Sequence, residues 1–222
     1  MEKAIMTFKE ATDEYWKYYI SLEEQFVETG RYVEFDYINN GKTYSMEYLK
    51  LFQAVCSEID VIGKILASIV DISFTPTKRT GINEWWYHIY NDDSSIERKK
   101  CNLFGEHELQ PWKNFRVKKN TNLKAKKYIL DEAGSTKGKT PEWWNDYNSV
   151  KHNRTGRYQK YSTNYAKANL RNLFYAFSAL FILEVKLMEI TRTDINDIIP
   201  TELESKLFTD QQSFYTVLLR IV

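Results

Sequence analysis

Apolar side chains recur at helical intervals in three long stretches of the chain. Over residues 10–29, Tyr15, Trp16, Tyr19, Leu22, Phe26 and Val27 fall on one helical face. Thr12 or Asp13 stands where a cap belongs, and Gly30 lies just past the end. Over residues 46–70 the series is Leu49, Phe52, Val55, Cys56, Ile59, Ile62, Ile65 and Leu66, with Ser45 as N-cap. The third stretch starts at Ser162 or Thr163 and runs through Ala166, Leu170, Leu173, Phe177, Leu180 and Leu183 to about Ile190. It is apolar nearly all round at its centre, which predicts the longest helix and the core of a bundle.

The segments between them read differently. In YVEFDYINNGKTYS, Val33, Phe35 and Tyr37 alternate with Glu34 and Asp36, and Asn40-Gly41 is a turn signal. That pattern predicts a short hairpin over 32–45. Residues 71–139 are broken by Pro76, Gly81, Gly105, Pro111, Gly134 and Gly138. We read them as an irregular, partly β insertion on a helical frame, with strand-like segments at 85–90 (WWYHIY), 114–117 (NFRV) and 126–130 (KKYIL). Thr140-Pro141-Glu142 opens a further helix, with Thr140 capping and Gly156 marking the end. The tail, 194–222, reads as one or two short helices divided at Pro200, with Phe214, Val217, Leu218 and Ile221 packing inward. The fold class is therefore mainly α, a single helical domain over 1–222.

Composition narrows the class. With 43% hydrophobic and 15% aromatic residues the chain is globular rather than disordered. Cys56 and Cys101 are too few for a disulfide framework or a four-cysteine zinc site, which fits a reducing compartment. The run LFYAFSALFIL, bounded by Arg171 and Glu184, is too short to span a bilayer. The first residues, MEKAIMTFKEATDEYW, lack the apolar core of a signal peptide. A cytoplasmic location and no membrane partner are expected. The net charge of +1 conceals an asymmetry: residues 1–60 carry 6 basic and 12 acidic side chains, residues 113–171 carry 15 and 4. A segment at +11 in a neutral chain calls for an anionic partner or an acidic face of the protein's own.

The chemistry converges on WWNDYNSVKHNR. Asn148 and His152 are four apart and share a helix face; Tyr147, Lys151 and Arg154 follow at four and three on an adjacent one. An imidazole suits proton transfer near neutral pH. Lys151 and Arg154 can hold a phosphate, and Asn148 can orient substrate or imidazole. Such a set suits metal-independent cleavage of a phosphodiester. Around it lie Lys118, Lys119, Lys124, Lys126, Lys127, Arg157 and Lys160, interleaved with Trp112, Phe115, Tyr128, Trp143, Trp144, Tyr158 and Tyr161. Cations with stacking rings are what single-stranded RNA binding uses. The plain counter-reading is a helix end whose cations complement the dipole. His88 and His107 read as a strand residue and a surface-loop residue, and Cys56 as a buried small hydrophobe. No Gly-rich phosphate loop, HExxH or GxSxG motif is present.

YNSVKH (147–152) resembles the signature helix of HEPN-like domains (higher eukaryotes and prokaryotes nucleotide-binding), in which an Arg and a polar residue precede a His. Here the match falls on Tyr147, Asn148 and His152, with Tyr147 in the place of the usual Arg. The order of elements is also similar: a core helix carrying acids (SEIDVIGKIL), a variable insertion, the motif helix, then a long apolar helix. The resemblance implies a helical bundle that forms a homodimer with the motif helices face to face. It implies a metal-independent endoribonuclease without a cofactor, of the kind found in phage defence, toxin–antitoxin and stress-response systems, with an antitoxin or defence protein as partner. His152 is then the catalytic residue, Asn148 its helper, Arg154 or Lys151 the substitute for the Arg, and Glu58 the supporting acid. Two alternatives stand beside it: a catalytically inactive HEPN-like module that binds RNA, a nucleotide or a protein, and a helical interaction protein whose basic patch meets an acidic partner.

Overall fold

The computed structural model describes residues 6–122, 127–133, 136–160 and 162–208. The first helical stretch begins at α1 (Phe8–Ala11), passes through a π-helical turn (Thr12–Trp16) and continues as α2 (Lys17–Glu28). Its cap is Thr7 rather than Thr12 or Asp13. The Thr7 hydroxyl accepts from the Glu10 N–H while the Glu10 carboxylate accepts from the Thr7 N–H, a reciprocal capping box. The second helix, α3 (Met46–Val70), has the expected bounds, and the Ser45 hydroxyl accepts from the Tyr48 N–H at 3.1 Å. Its 25 residues make it the longest helix described.

No hairpin forms over 32–45; the segment is a looped connection. The Asp36 carboxylate accepts from the Ile38 and Asn39 N–H groups at 2.8 Å and turns the chain locally. The returning half then spends its carbonyls elsewhere: Gly41 and Thr43 accept from the N–H groups of Arg171 and Leu170, both at 2.9 Å. That contact also sets the start of α6 (Leu170–Thr191), seven or eight residues later than the apolar pattern predicts. Asn169 is its cap, accepting from the Asn172 N–H at 3.0 Å. Residues Arg157–Gln159 (β5) and Ser162–Thr163 (β6) form a small antiparallel ribbon, and Asn164–Lys167 a 3-10 turn.

WWYHIY is helical, not extended: it lies within α4 (Ile82–Asp92). Trp85, Trp86 and Ile89 occupy one helix face and are fully buried, so packing overrides the strand preference of an aromatic run. The insertion also holds β1 (Cys101–Leu103) with β2 (His107–Leu109), and β3 (Val117–Lys119) with β4 (Tyr128–Leu130), each pair antiparallel. It shares the core of the frame. The Trp86 ring stacks on Trp112 with centroids 4.5 Å apart, and Trp112 meets Trp143 at 5.3 Å, at the start of α5 (Glu142–Asn153). The indole N–H groups of Trp86, Trp112 and Trp143 donate to the carbonyls of Phe115, Ala179 and Pro111. The tryptophans thus bury large apolar area without leaving a polar atom unpaired.

Helix α6 is buried on almost every side and packs along α3. No helix among the described residues is long and apolar enough to cross a membrane. The C-terminal segment is tied back to α2 by Glu23, a buried carboxylate. It accepts from the Tyr19 hydroxyl, the Ser205 hydroxyl (2.6 Å) and the Lys206 N–H. Trp16 donates from its indole to the Leu203 carbonyl at 2.8 Å. Glu23→Ala should release residues 203–208 and raise the amide exchange of that segment, because three donors lose one acceptor together. Unchanged exchange there would show that the segment is held by other contacts. Phe214, Val217, Leu218 and Ile221 lie outside the described residues.

Candidate nucleic-acid interface

Helix α5 starts at Pro141, whose extended ψ of 137° makes it the cap residue; Thr140 does not cap. The helix stands on its Trp143, Trp144, Tyr147 and Val150 side, all buried. Tyr147 therefore does not join the exposed set. Its ring is 5% exposed and sits 5.1 Å from Trp144 and 6.0 Å from Phe52. Burial, with Cys56 and Asp60 as lesser causes, pushes the phenol up to about 12, so it stays protonated. At the position where the resemblance calls for a cation, the structure has a core ring with the Lys151 ammonium over it, 5.4 Å from the centroid.

The opposite side and the C-terminal end of α5 are open. Asn148 is half-buried, while Lys151, His152, Arg154, Arg157 and Lys160 are exposed. The last carbonyls of a helix normally need donors, and here residues 164–165 supply them at Asn153 and Arg154. The Asn164 side chain donates to the Asn153 carbonyl at 2.8 Å, and the Tyr165 N–H to the Arg154 carbonyl at 3.0 Å. The Asn164 N–H donates to the Gly156 carbonyl at 2.7 Å. Among the described residues no hydrogen bond uses the Lys151, His152 or Arg154 side chain as a cap for the Asn153 and Arg154 carbonyls. On the buried flank, Asp146 is paired with Lys167 at 3.0 Å and accepts from Asn172 at 2.9 Å, which locks α5 to α6.

The other sequence candidates divide by element. Lys118 is engaged with Asp131 at 2.9 Å, and Lys119 and Lys127 are exposed on the β3–β4 ribbon, where Lys127 covers the Tyr128 ring. That ribbon packs on α4. Lys124 and Lys126 lie outside the described residues, as does Tyr161. Glu58 makes no hydrogen bond or ion pair with α5 among the described residues. It is half-buried on α3, burial raises its carboxyl, and its charge acts on Tyr15 and Glu184. The α3 acid nearer α5 is Asp60, which holds the Trp85 indole at 3.0 Å and pairs with Lys64.

Comparison with known proteins finds no match, whether to a family model, a curated protein or a solved structure. The chemistry of the site is therefore that of its own geometry. His88 is a structural helix residue, with Nδ1 2.8 Å from Asp71, Nε2 3.3 Å from the Tyr128 hydroxyl, and its ring against Phe74. His107 lies in β2, 5.6 Å from the Tyr37 ring. Among the described residues no three His, Cys, Asp or Glu side chains gather as metal ligands would. One group escaped the sequence reading altogether. Glu184, which bounds the apolar run in the sequence, is fully buried in α6, and neither carboxylate oxygen has a partner among the described residues. A lone acid inside LFILEV was the available signal.

Proposed function

We infer that the chain is an HEPN-like, metal-independent endoribonuclease whose chemistry sits at the C-terminal end of α5. The observation that carries this reading is the exposed His152 beside exposed Lys151, Arg154 and Arg157, on a helix end where the Asn153 and Arg154 carbonyls are taken by Asn164 and Tyr165. None of these cations forms an ion pair with a described residue, and the Lys151 ammonium lies over the Tyr147 ring, so a phosphodiester has several cations to meet. In the reaction, His152 takes the proton of a ribose 2′-hydroxyl, and that oxygen attacks the adjacent phosphorus. The bond to the 5′-oxygen breaks, and the departing oxygen is protonated. Arg154 and Lys151 bear the charge that builds on the phosphoryl oxygens, and Asn148, one turn before His152, orients the 2′-hydroxyl. Pairing of two chains across this face sets two such helices along one RNA strand.

The burial of Tyr147 favours a second reading, an inactive RNA-binding module with the same face. Cleavage of total cellular RNA in EDTA separates the two. Wild type should cleave, and His152→Ala should lose about 10²-fold or more while melting as wild type does, because His152 is exposed. RNA binding without cleavage by either protein would select the inactive module.

A further inference from the structure

A second basic site lies at the other end of α5. Where the chain after β2, the start of α5 and the first turn of α6 meet, a cavity of about 170 Å³ is lined by Lys113, Lys139 and Arg171, with Glu142, Trp143 and Tyr175. None of the three cations forms an ion pair with a described residue. Their backbones are fixed: Lys113 donates its N–H to the Gln110 carbonyl at 3.3 Å, Lys139 to Asn114 at 2.9 Å, and Arg171 to Gly41 at 2.9 Å. The walls are equally set. Trp143 is bonded to the Pro111 carbonyl at 3.0 Å, and the Arg171 guanidinium lies over the Tyr37 ring, 5.2 Å from its centroid. The Tyr175 hydroxyl accepts the Tyr37 proton at 3.2 Å and keeps its own to donate.

The geometry points to a site for a phosphate monoester. Three cations against the one carboxylate of Glu142 leave a formal +2, which matches the charge of about −1.5 to −2 on a monoester better than the single charge of a diester. The cavity is smaller than the roughly 300–1,000 Å³ that encloses a whole drug-sized ligand, so it takes the phosphate and leaves the rest of the ligand outside. The positive end of α5 adds to the field. The site does not depend on His152, which lies at the far end of the helix.

Calorimetric titration of the whole chain with inorganic phosphate, adenosine 5′-monophosphate, and a 2′-O-methyl trinucleotide with or without a 5′-phosphate, which chemistry through a 2′-hydroxyl cannot cleave, tests it. The wild type should bind the monoesters and prefer the 5′-phosphorylated strand to its 5′-hydroxyl counterpart. Lys113→Gln/Lys139→Gln should weaken binding at least tenfold with an unchanged melting temperature, since both side chains are exposed, and Glu142→Gln should tighten it. Tighter binding of the phosphorylated strand than of free phosphate identifies an RNA end as the source; the reverse identifies free phosphate. No heat from any phosphate probe at millimolar concentration, or equal binding by the double variant and wild type, would overturn the site. His152→Ala should bind as wild type does, which keeps this result separate from the ribonuclease reading.

Discussion

Gly63→Val should destabilise the protein by several times the cost of an ordinary helix substitution, and even Gly63→Ala should destabilise it. In most helices alanine is preferred to glycine by about 1 kcal/mol. Here a Cβ on Gly63 would stand 2.6 Å from two ring carbons of Trp85. The indole has nowhere to go. It is fully buried, its N–H is bonded to Asp60 at 3.0 Å, and it meets the edges of Trp86 and Trp112 at 6.1 Å. Overpacking of this kind costs about 1–3 kcal/mol, enough to reverse the helix preference for alanine and more for the branched valine. Urea unfolding followed by tryptophan fluorescence measures it. A Gly63→Ala protein more stable than wild type would show that the α3–α4 contact has slack.

Glu184→Met should stabilise the fold, and by more as the pH rises. Both oxygens of Glu184 are buried without a partner among the described residues, a situation that costs about 1–3 kcal/mol for a neutral group and more for a charged one. Burial first, and then the Glu58 carboxylate, hold its carboxyl well above the usual range; the Tyr15 phenol faces the same two acids from the π-helical turn. The linkage sign follows. The folded state keeps the Glu184 proton at a pH where the unfolded chain has released it. The wild-type contribution is therefore fully present below the unfolded value of about 4.3 and is lost as the pH rises toward the folded one. Methionine has no proton to lose, so the variant's advantage should widen from about pH 4.3 upward and then level off above the folded value. An advantage that stays constant between pH 4 and 9 would mean that the Glu184 carboxyl releases its proton in the folded state as it does in the unfolded chain, so that burial does not raise it. Glu184→Gln supplies the control, since it keeps the shape and a polar end but not the titration.

These two positions also show what was legible in the sequence. Helix α3 was readable at both ends because its apolar face is continuous and Ser45 provides a local cap. The role of Gly63 within it was not, since it depends on Trp85, a residue 22 positions away. WWYHIY looked extended because six residues are too few to show a helical period, and the burial of Trp85, Trp86 and Ile89 against the frame decides the matter. Asn40-Gly41 and the alternation before it carried the signal of a hairpin. The structure uses the Gly41 and Thr43 carbonyls to close the start of α6 instead, a long-range bond that no local pattern records. At the candidate site, the spacing of His152, Lys151 and Arg154 showed that they crowd the end of one helix, and residues 151–154 are exposed there. The burial of Tyr147 and the supply of donors from Asn164 and Tyr165 were not legible, because both come from tertiary contacts.

The ribonuclease reading stands on His152 taking the proton of the ribose hydroxyl. The direct measurement uses an RNA oligonucleotide in EDTA, either all-ribose or with a single 2′-deoxy substitution at the cleaved position, with wild type beside His152→Ala. Wild type should cleave the all-ribose strand to a product ending in a 2′,3′-cyclic phosphate, with no cleavage at the deoxy position or by the variant. Cleavage at the wild-type rate by a folded His152→Ala protein would contradict it.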